Sequence, residues 1–395
     1  MFNDLSKRVC AIKPSPTLAV SNLASQLRAQ GRDVIGLGAG EPDFNTPEHI
    51  RDAAIAAINN GDTHYTAVDG TVALKQAIVD KFARDNGLTY TADQILVSCG
   101  GKQSFFNLCQ ALLDAGDEVI IPAPYWVSYP DIVILADATP VVVESGIDSE
   151  FKITPAMLEA AITDKTRMLV LNSPSNPTGV GYSMQELAAL GDVLLRYPQV
   201  LIMTDDMYEH IFWGDYQFCN ILNACPNLYD RTMVFNGVSK AYAMTGWRIG
   251  YAAGDASIIK AMKKIQSQST SNPTSISQAA SVAALNGDHA PVRAMVDEFK
   301  KRHDYLVAEL NSIKHIQCLK SDGTFYSFPN IQDFIDSRDD LSNDVDVANL
   351  LLEEVGVALV PGSAFGAEGY MRISFATSME NLGKAVARIR QVFEG

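Results

Sequence analysis

Several common pointers to function are missing from this sequence. Its six cysteines, Cys10, Cys99, Cys109, Cys219, Cys225 and Cys318, are scattered, and no two stand in a C-x-x-C or other metal-ligand spacing. That argues against a disulfide framework and a metal site. Isolated cysteines in a chain of this size read as reduced and mostly buried, as in a cytoplasmic protein. Positive charge is also short, with 31 Lys and Arg against 46 Asp and Glu and a formal net charge of −15. Binding to nucleic acid or to an anionic membrane by bulk attraction is therefore not expected, although a few cations in one pocket can still reverse the local field. No apolar run approaches the roughly 18 uninterrupted residues of a membrane helix, because Pro122, Arg196 and Pro198 cut the longest candidates short. The opening MFNDLSKRVCAIKPSP has no apolar core of signal-peptide length. Internal repeats and low-complexity tracts are absent.

What is present is an α/β pattern. A chain of 395 residues is too long for one small core and suits one large domain plus a smaller one. The content of 47% hydrophobic and 19% charged residues is that of a folded, soluble chain. Seven apolar runs read as strands: Ile95–Ser98, Glu118–Ile121 stopped by Pro122, Pro140–Glu144, Arg167–Asn172, Val200–Thr204, Thr232–Asn236 and Arg248–Ala253. Helical stretches such as Ser183–Arg196 lie between them, which predicts a mostly parallel sheet covered on both faces, with ligands beyond the carboxyl ends of the strands. A charge-patterned helix over Pro291–Ile313 leads into a second α/β region with strands at Thr324–Phe328, Val357–Pro361 and Met371–Phe375. The N-terminal segment is expected to pack with that region. The division is then 1–48 as part of the small domain, 49–295 as the large domain and 296–395 as the C-terminal small domain.

Four short stretches carry chemistry, and each has a plainer reading. In Asn236-Gly-Val-Ser-Lys240, a lysine follows a strand end, and Arg248 stands eight residues on. A lysine amine forms a Schiff base if its surroundings lower its pKa, and an arginine can bind phosphate; a surface lysine in a loop has the same local text. In Ser98-Cys99-Gly100-Gly101-Lys102, two glycines at a helix start let backbone N–H groups approach a phosphate, though such turns are more often plain turn chemistry. In Asp205-Asp206-Met207-Tyr208, a carboxylate at a strand end can keep a pyridine nitrogen protonated. Helix N-capping explains an Asp equally well, and either acid suits the role. Asn176-Pro-Thr-Gly179 is by spacing alone a tight turn.

Taken together, in order and spacing, these stretches resemble the class I aminotransferases of the aspartate aminotransferase family, fold type I of the pyridoxal-phosphate enzymes. The matching text is Leu37-Gly-Ala-Gly-Glu-Pro-Asp-Phe44, Pro124-Tyr-Trp126, Ser175-Asn-Pro-Thr-Gly179, Asp205-Asp-Met-Tyr208, Ser239-Lys-Ala-Tyr-Ala-Met-Thr-Gly-Trp-Arg248 and Met371-Arg-Ile-Ser-Phe375, which spans nearly the whole chain.

The resemblance implies pyridoxal 5'-phosphate as cofactor, bound to Lys240, which would also move the proton during catalysis. It implies Asp205 on the pyridinium nitrogen, Tyr208 and Asn176 on the phenolic oxygen, Trp126 stacked on the ring, and Gly100, Gly101 and Arg248 on the phosphate. A tyrosine of the neighbouring subunit reaches the phosphate in this family, and Tyr65 matches it, implying a homodimer with shared active sites. Arg372 matches the arginine that clamps the substrate α-carboxylate, and Gly40 is expected against the same group. Two positions depart from much of the family. Gly237 stands where many relatives have a phosphate-binding serine, leaving Ser239 to take over. Ser267 stands where one branch has an arginine for the distal carboxylate, and Lys102 matches the lysine used by the other branch.

The implied activity is ping-pong transamination between aspartate and 2-oxoglutarate through a pyridoxamine form. Glutamate–prephenate transamination is the close alternative, with Lys13 and Arg32 as extra cations for a second carboxylate, and a broad aromatic aminotransferase is a third. A dinucleotide-binding loop at Gly36-Leu-Gly-Ala-Gly40 fails, because Glu41-Pro42 interrupts the helix such a loop must open. A binding-only protein of this fold would lack Lys240 or carry an attached DNA-binding module, and the sequence has neither feature.

Overall fold

The computed structural model describes residues 5–14 and 16–395; the first four residues and Ser15, part of the N-terminal stretch considered above, lie outside the described residues. The central sheet has seven strands: β1 (Ile95–Ser98), β2 (Glu118–Ala123), β3 (Thr139–Glu144), β4 (Thr166–Asn172), β5 (Leu201–Asp205), β6 (Thr232–Gly237) and β7 (Gly250–Ala253). Their spatial order is β1-β7-β6-β5-β4-β2-β3. The strands from β3 across to β6 run parallel, and β7 is antiparallel to both its neighbours. Alternation along the strands buries both faces. Ile120, Leu169, Ile202 and Val234 join one core, while Val119, Val170, Met203 and Phe235 join the core on the opposite face.

Two strand boundaries differ from expectation for clear reasons. Pro122 does not stop β2, which continues to Ala123 in register with β3. Pairing of β2 with β4 ends at Ile120, so the missing N–H of Pro122 costs no ladder bond on that side. Arg248 is not part of β7: its backbone is left-handed, at φ 57°, and the strand begins only at Gly250. A Cβ at Gly250 would sit 2.2 Å from the backbone nitrogen of Gly101, so only glycine permits this close approach. Elsewhere local signals hold. Ser183 caps the helix Met184–Leu195 in a reciprocal box with Glu186, and Gly100, at φ 88°, precedes the helix Gly101–Leu112.

A second α/β region packs beside the sheet. The expected strand over Val357–Pro361 splits in two: Val357–Ala358 pairs in parallel with Ile35–Gly36, while Val360–Pro361 joins Met371–Ser374 and Tyr326–Ser327. The N-terminal segment thus packs with the C-terminal region. The helix Ala290–Leu310 crosses between the two cores, with Val292 in the first and Met295, Phe299, Leu306 and Leu310 in the second. Among the described residues no helix is long and apolar enough to cross a membrane. All six cysteines are free; Cys109, Cys219, Cys225 and Cys318 are buried, Cys99 is half-buried and Cys10 exposed.

Candidate active site

The carboxyl ends of β4, β5 and β6 open into a cleft of about 520 Å³. Its walls come from the Gly100–Gly101 turn, the N-terminal segment and the second region, so residues far apart in sequence converge there. Four cations line it, Lys102, Lys240, Arg248 and Arg372, against two acids, Glu41 and Asp205. The local charge is thus opposite in sign to that of the whole chain.

Lys240 follows the end of β6, and its Nζ donates to the carbonyl of Gly40 at 2.5 Å. Enclosure by protein lowers its pKa to about 8, and the nearby guanidinium groups of Arg372 and Arg248 push in the same direction. An amine so tuned is neutral often enough at physiological pH to act as a nucleophile.

The two adjacent acids divide cleanly. Asp205 lines the cleft, its Oδ2 accepting from the Tyr129 hydroxyl at 2.6 Å and its Oδ1 from the Met207 N–H at 3.1 Å. Burial raises its pKa, and these hydrogen bonds to the carboxylate oppose the rise. Asp206 turns away into the protein, accepting from Thr204 Oγ1 at 2.7 Å and Asn220 Nδ2 at 2.8 Å. Burial, reinforced by the charge of Glu209, pushes it up to about 7. Tyr208 is buried, and its hydroxyl shares a 3.0 Å hydrogen bond with that of Tyr326.

Gly100 and Gly101 start their helix at one end of the cleft. A Cβ on Gly100, whose φ is 88°, would meet Arg248 Nη2 at 2.4 Å, and one on Gly101 would meet Met207 Cε at 2.7 Å, so a side chain at either position would displace a residue that lines the cleft. Arg248 is pinned by its bond from Nη1 to the Thr245 carbonyl at 2.8 Å. Ser239 lines the same cleft. Gly237 does not, and a Cβ there would lie 3.0 to 3.1 Å from Ile249, Gly250 and Met207, leaving little space for a serine.

Arg372 is buried. Its Nη1 donates to Asn176 Oδ1 at 3.0 Å and its Nη2 to the Gly38 carbonyl at 2.8 Å. Its Nε has no hydrogen-bond partner, and among the described residues its guanidinium bonds an amide oxygen and a backbone carbonyl, not a carboxylate. The rings of Tyr326 and Phe365 lie 4.4 and 4.9 Å from its guanidinium carbon. Asn176 is itself held by Asn172, whose Oδ1 accepts the Asn176 N–H at 2.9 Å while its Nδ2 donates to the Asp205 carbonyl, also at 2.9 Å. Lys102, in the first turn of its helix, lies over the Trp126 ring at 5.1 Å. Partial burial lowers its pKa, with the charge of Arg248 adding to the effect.

Gly40, Lys102, Trp126, Asn176, Asp205, Tyr208, Ser239, Lys240, Arg248 and Arg372 are thus brought together. Tyr65 and Lys13 do not line this cleft. Tyr65 is 92% exposed, and Lys13 is exposed, with its backbone N–H near Asp131. Arg32 serves a helix end instead, donating to the carbonyls of Leu352 and Glu353. Ser267 is exposed and bonds the carbonyl of Lys264. The sequence reading missed Tyr129, Asn172 and Tyr326, as well as Thr17 and Leu18, which reach the cleft from the helix Pro16–Ala29. Only Asn172 had a local signal, its place at a strand end.

The fold and the cleft define an aminotransferase. The sequence profile described as aminotransferase class I and II matches residues 32–389, and the chain belongs to that family. Among its relatives is an aspartate/prephenate aminotransferase of Nitrosomonas europaea, 61% identical over 98% of each chain. Another protein of that name, from Cereibacter sphaeroides, is 53% identical over 99% of each chain. The solved aspartate aminotransferase of Rhizobium meliloti superposes with a TM-score of 0.96 at 47% identity, covering 100% of this chain and 99% of that one. The aspartate aminotransferase of Thermus thermophilus with maleate gives 0.92 at 41% identity, covering 99% and 100% respectively.

Proposed function

We propose that the protein transfers the amino group of L-aspartate to 2-oxoglutarate, giving oxaloacetate and L-glutamate by a ping-pong route, with pyridoxal 5'-phosphate held on Lys240. The observation that carries the reading is Arg372, a buried guanidinium with an unbonded Nε and no carboxylate partner among the described residues, in the same cleft as a second cation, Lys102. Two such cations suit a dicarboxylate. Maleate, present in the Thermus structure, is one.

The residues present fit the cofactor. Gly100, Gly101, Ser239 and Arg248 would hold its phosphate, the open helix N-terminus supplying N–H donors. Asp205, whose carboxylate accepts from the Tyr129 hydroxyl, would pair with the ring nitrogen. Tyr208 and Asn176 would face the ring hydroxyl, and Trp126 would cover the ring face. When bound, the cofactor supplies an electron sink for the bonds at the substrate Cα. Arg372 would fix the α-carboxylate beside Gly40, in a fork geometry that a point charge does not offer. Lys102 would take the distal carboxylate. With its lowered pKa, Lys240 would receive the Cα proton and return it.

Tyr65 supports a homodimer with shared sites, since so exposed an aromatic ring suits a partner surface. Ile55 and Ile58, three apart on the helix Glu48–Asn59, add exposed apolar area. The separate cores support the division 1–48, 49–295 and 296–395 in outline, with Tyr208, Ile211 and Met295 of the middle segment packing in the second core and the second boundary inside the helix Ala290–Leu310. Free cysteines suit a cytoplasmic setting.

Prephenate as amino acceptor is the second reading, favoured by the names of the Nitrosomonas and Cereibacter relatives. Lys13, exposed outside the cleft, would contribute to it only by moving. Borohydride reduction followed by peptide mapping tests the anchor: a phosphopyridoxyl group is expected on Lys240, and its presence elsewhere ends the proposal. Aspartate alone should release one equivalent of oxaloacetate per site and change the visible absorption of the enzyme. Failure of both aspartate and glutamate to change that absorption, with another donor succeeding, ends the dicarboxylate assignment.

A further inference from the structure

Glu209 does not line the cleft. It is nevertheless the point where the two turns that carry the cofactor-facing residues meet. The ladder between β5 and β6 ends at the pair Asp205 and Phe235. Past it, the Asp206 N–H still reaches the Phe235 carbonyl at 2.8 Å, and then the segment after Asp205 leaves the sheet while Asn236 and Gly237 stay paired only with β7. The next tie is made by side chains. Asn236 Nδ2 donates to Glu209 Oε1 at 2.8 Å, and Asn236 Oδ1 accepts from the Gly237 N–H at 2.7 Å. With both ends of the amide engaged, Asn236 cannot rotate without losing one bond.

Glu209 is held from its other side. Asn86 Nδ2 donates to Glu209 Oε2 at 2.8 Å, and Asn86 Oδ1 accepts from Lys81 Nζ at 2.7 Å. Lys81 also contacts the Glu209 carboxylate directly. All four residues are buried, Lys81 completely. Lys81 ends the helix Val72–Lys81, and a π-helical turn, Phe82–Asn86, brings Asn86 back toward it. His210 Nε2 lies 3.3 Å from Glu209 Oε1. A buried ion pair is a poor device for stability alone, because desolvation offsets its attraction and an apolar pair of similar volume packs at least as well. What such a pair offers is a fixed geometry.

We infer that Glu209 is a positioning residue: through Asn236 it ties the turn bearing Asp205 and Tyr208 to the turn bearing Lys240, and Lys81 holds it in place. The inference rests on Lys240 and Asp205 as cofactor-holding residues and adds a residue that touches neither cofactor nor substrate.

Two double variants of the holoenzyme separate positioning from charge pairing. In K81M/E209Q the new amide oxygen still accepts from Asn236, and Asn86, freed of Lys81, turns its carbonyl to the new N–H. In K81M/E209L the charge pair is equally absent and the tie is lost. The first is expected to keep kcat within about threefold of wild type. The second should lose about tenfold in kcat, with KM for aspartate within about twofold, and shift the pH midpoint of the lysine-bound cofactor's absorption by about half a unit or more. Equal behaviour of the two variants in rate and titration, whether intact or impaired, overturns the inference. If K81M/E209L does not fold, N236A removes the same bond from the other side, and a wild-type titration and kcat in that variant overturn it equally. Mapping the cofactor in the wild type first keeps the readings apart. A cofactor on another lysine ends the Lys240 assignment, whereas an unchanged titration with the cofactor on Lys240 ends only the role of Glu209.

Discussion

The Tyr129 hydroxyl donates to Asp205 Oδ2 at 2.6 Å, across 76 positions of sequence. Both groups are enclosed, so the bond acts in a medium where hydrogen bonds to a charged form count heavily. Burial raises the pKa of Asp205 and this bond holds it down. Tyr129→Phe should therefore let the carboxyl pKa rise further and move the acid limb of the rate profile to higher pH. A loss of about tenfold in kcat at pH 7 is expected, in line with one charge-assisted hydrogen bond. Steady-state rates between pH 5 and 9 check this, and an unmoved acid limb counts against the role given to Asp205.

Arg372→Lys is expected to cost about 100-fold in kcat/KM for aspartate, or about 2.7 kcal/mol. The fork that reaches both Asn176 and Gly38 is planar and fixed, and a lysine offers one mobile ammonium in its place. A loss of less than about threefold would show that the α-carboxylate binds elsewhere.

Lys102→Met should discriminate between substrates. KM for aspartate and glutamate is expected to rise about tenfold, while kcat/KM for alanine or phenylalanine stays within about twofold. A uniform fall for every amino acid would mean that Lys102 serves the cofactor and not the distal carboxylate.

Stability should respond to Asp206 and Glu209 in opposite directions. Burial and the charge of Glu209 raise Asp206 from 3.8 to about 7. The folded state then holds this proton more tightly than the unfolded chain, so the contribution is full below about 3.8 and is lost as pH rises to about 7. Burial alone would raise Glu209 as well, but the Lys81 charge, His210 and the Asn86 bond bring it down to about 2. Its contribution is present above 4.5 and is lost as pH falls toward about 2. Asp206→Asn should flatten the first slope and raise the melting temperature at pH 8 by several degrees, on the order expected for a few kcal/mol. Calorimetry at pH 4, 6 and 8 on wild type and variant gives the comparison.

If Tyr65 completes a neighbouring site, two inactive chains should rescue each other. A hybrid of Lys240→Ala with Tyr65→Ala contains one site with both native residues, the lysine from one chain and the tyrosine from the other. Mixing and refolding the two variants should return activity well above either alone. No recovery, with hybrids shown to form by native mass spectrometry, would remove Tyr65 from the site.

Much of this protein could be read locally. The seven strands, the helix starts at Gly100 and Ser183, and Lys240 all lie in short segments whose turn chemistry and apolar period are set by near neighbours. Pro122 and Arg248 misled for the same reason, since local rules gave the strand ends while sheet pairing decided them. A proline is harmless where its missing N–H faces an unpaired edge, and an arginine leaves the strand where two glycines, Gly250 and Gly101, must touch.

Residue type and spacing singled out Lys240 and the Asp205-Asp206 pair, each with a plainer reading beside it, and Arg372 entered only through the family resemblance. Which acid faces the cleft was settled only by packing, where Thr204 and Asn220 claim Asp206. The same holds for Tyr129, Tyr326 and Glu209, and for Arg32, which is engaged by two helix carbonyls outside the cleft. Their partners lie from 76 to more than 300 positions away in some cases and as few as two in others. In each case three-dimensional packing, and not separation along the chain, decides which polar group is satisfied and which is left facing the ligand.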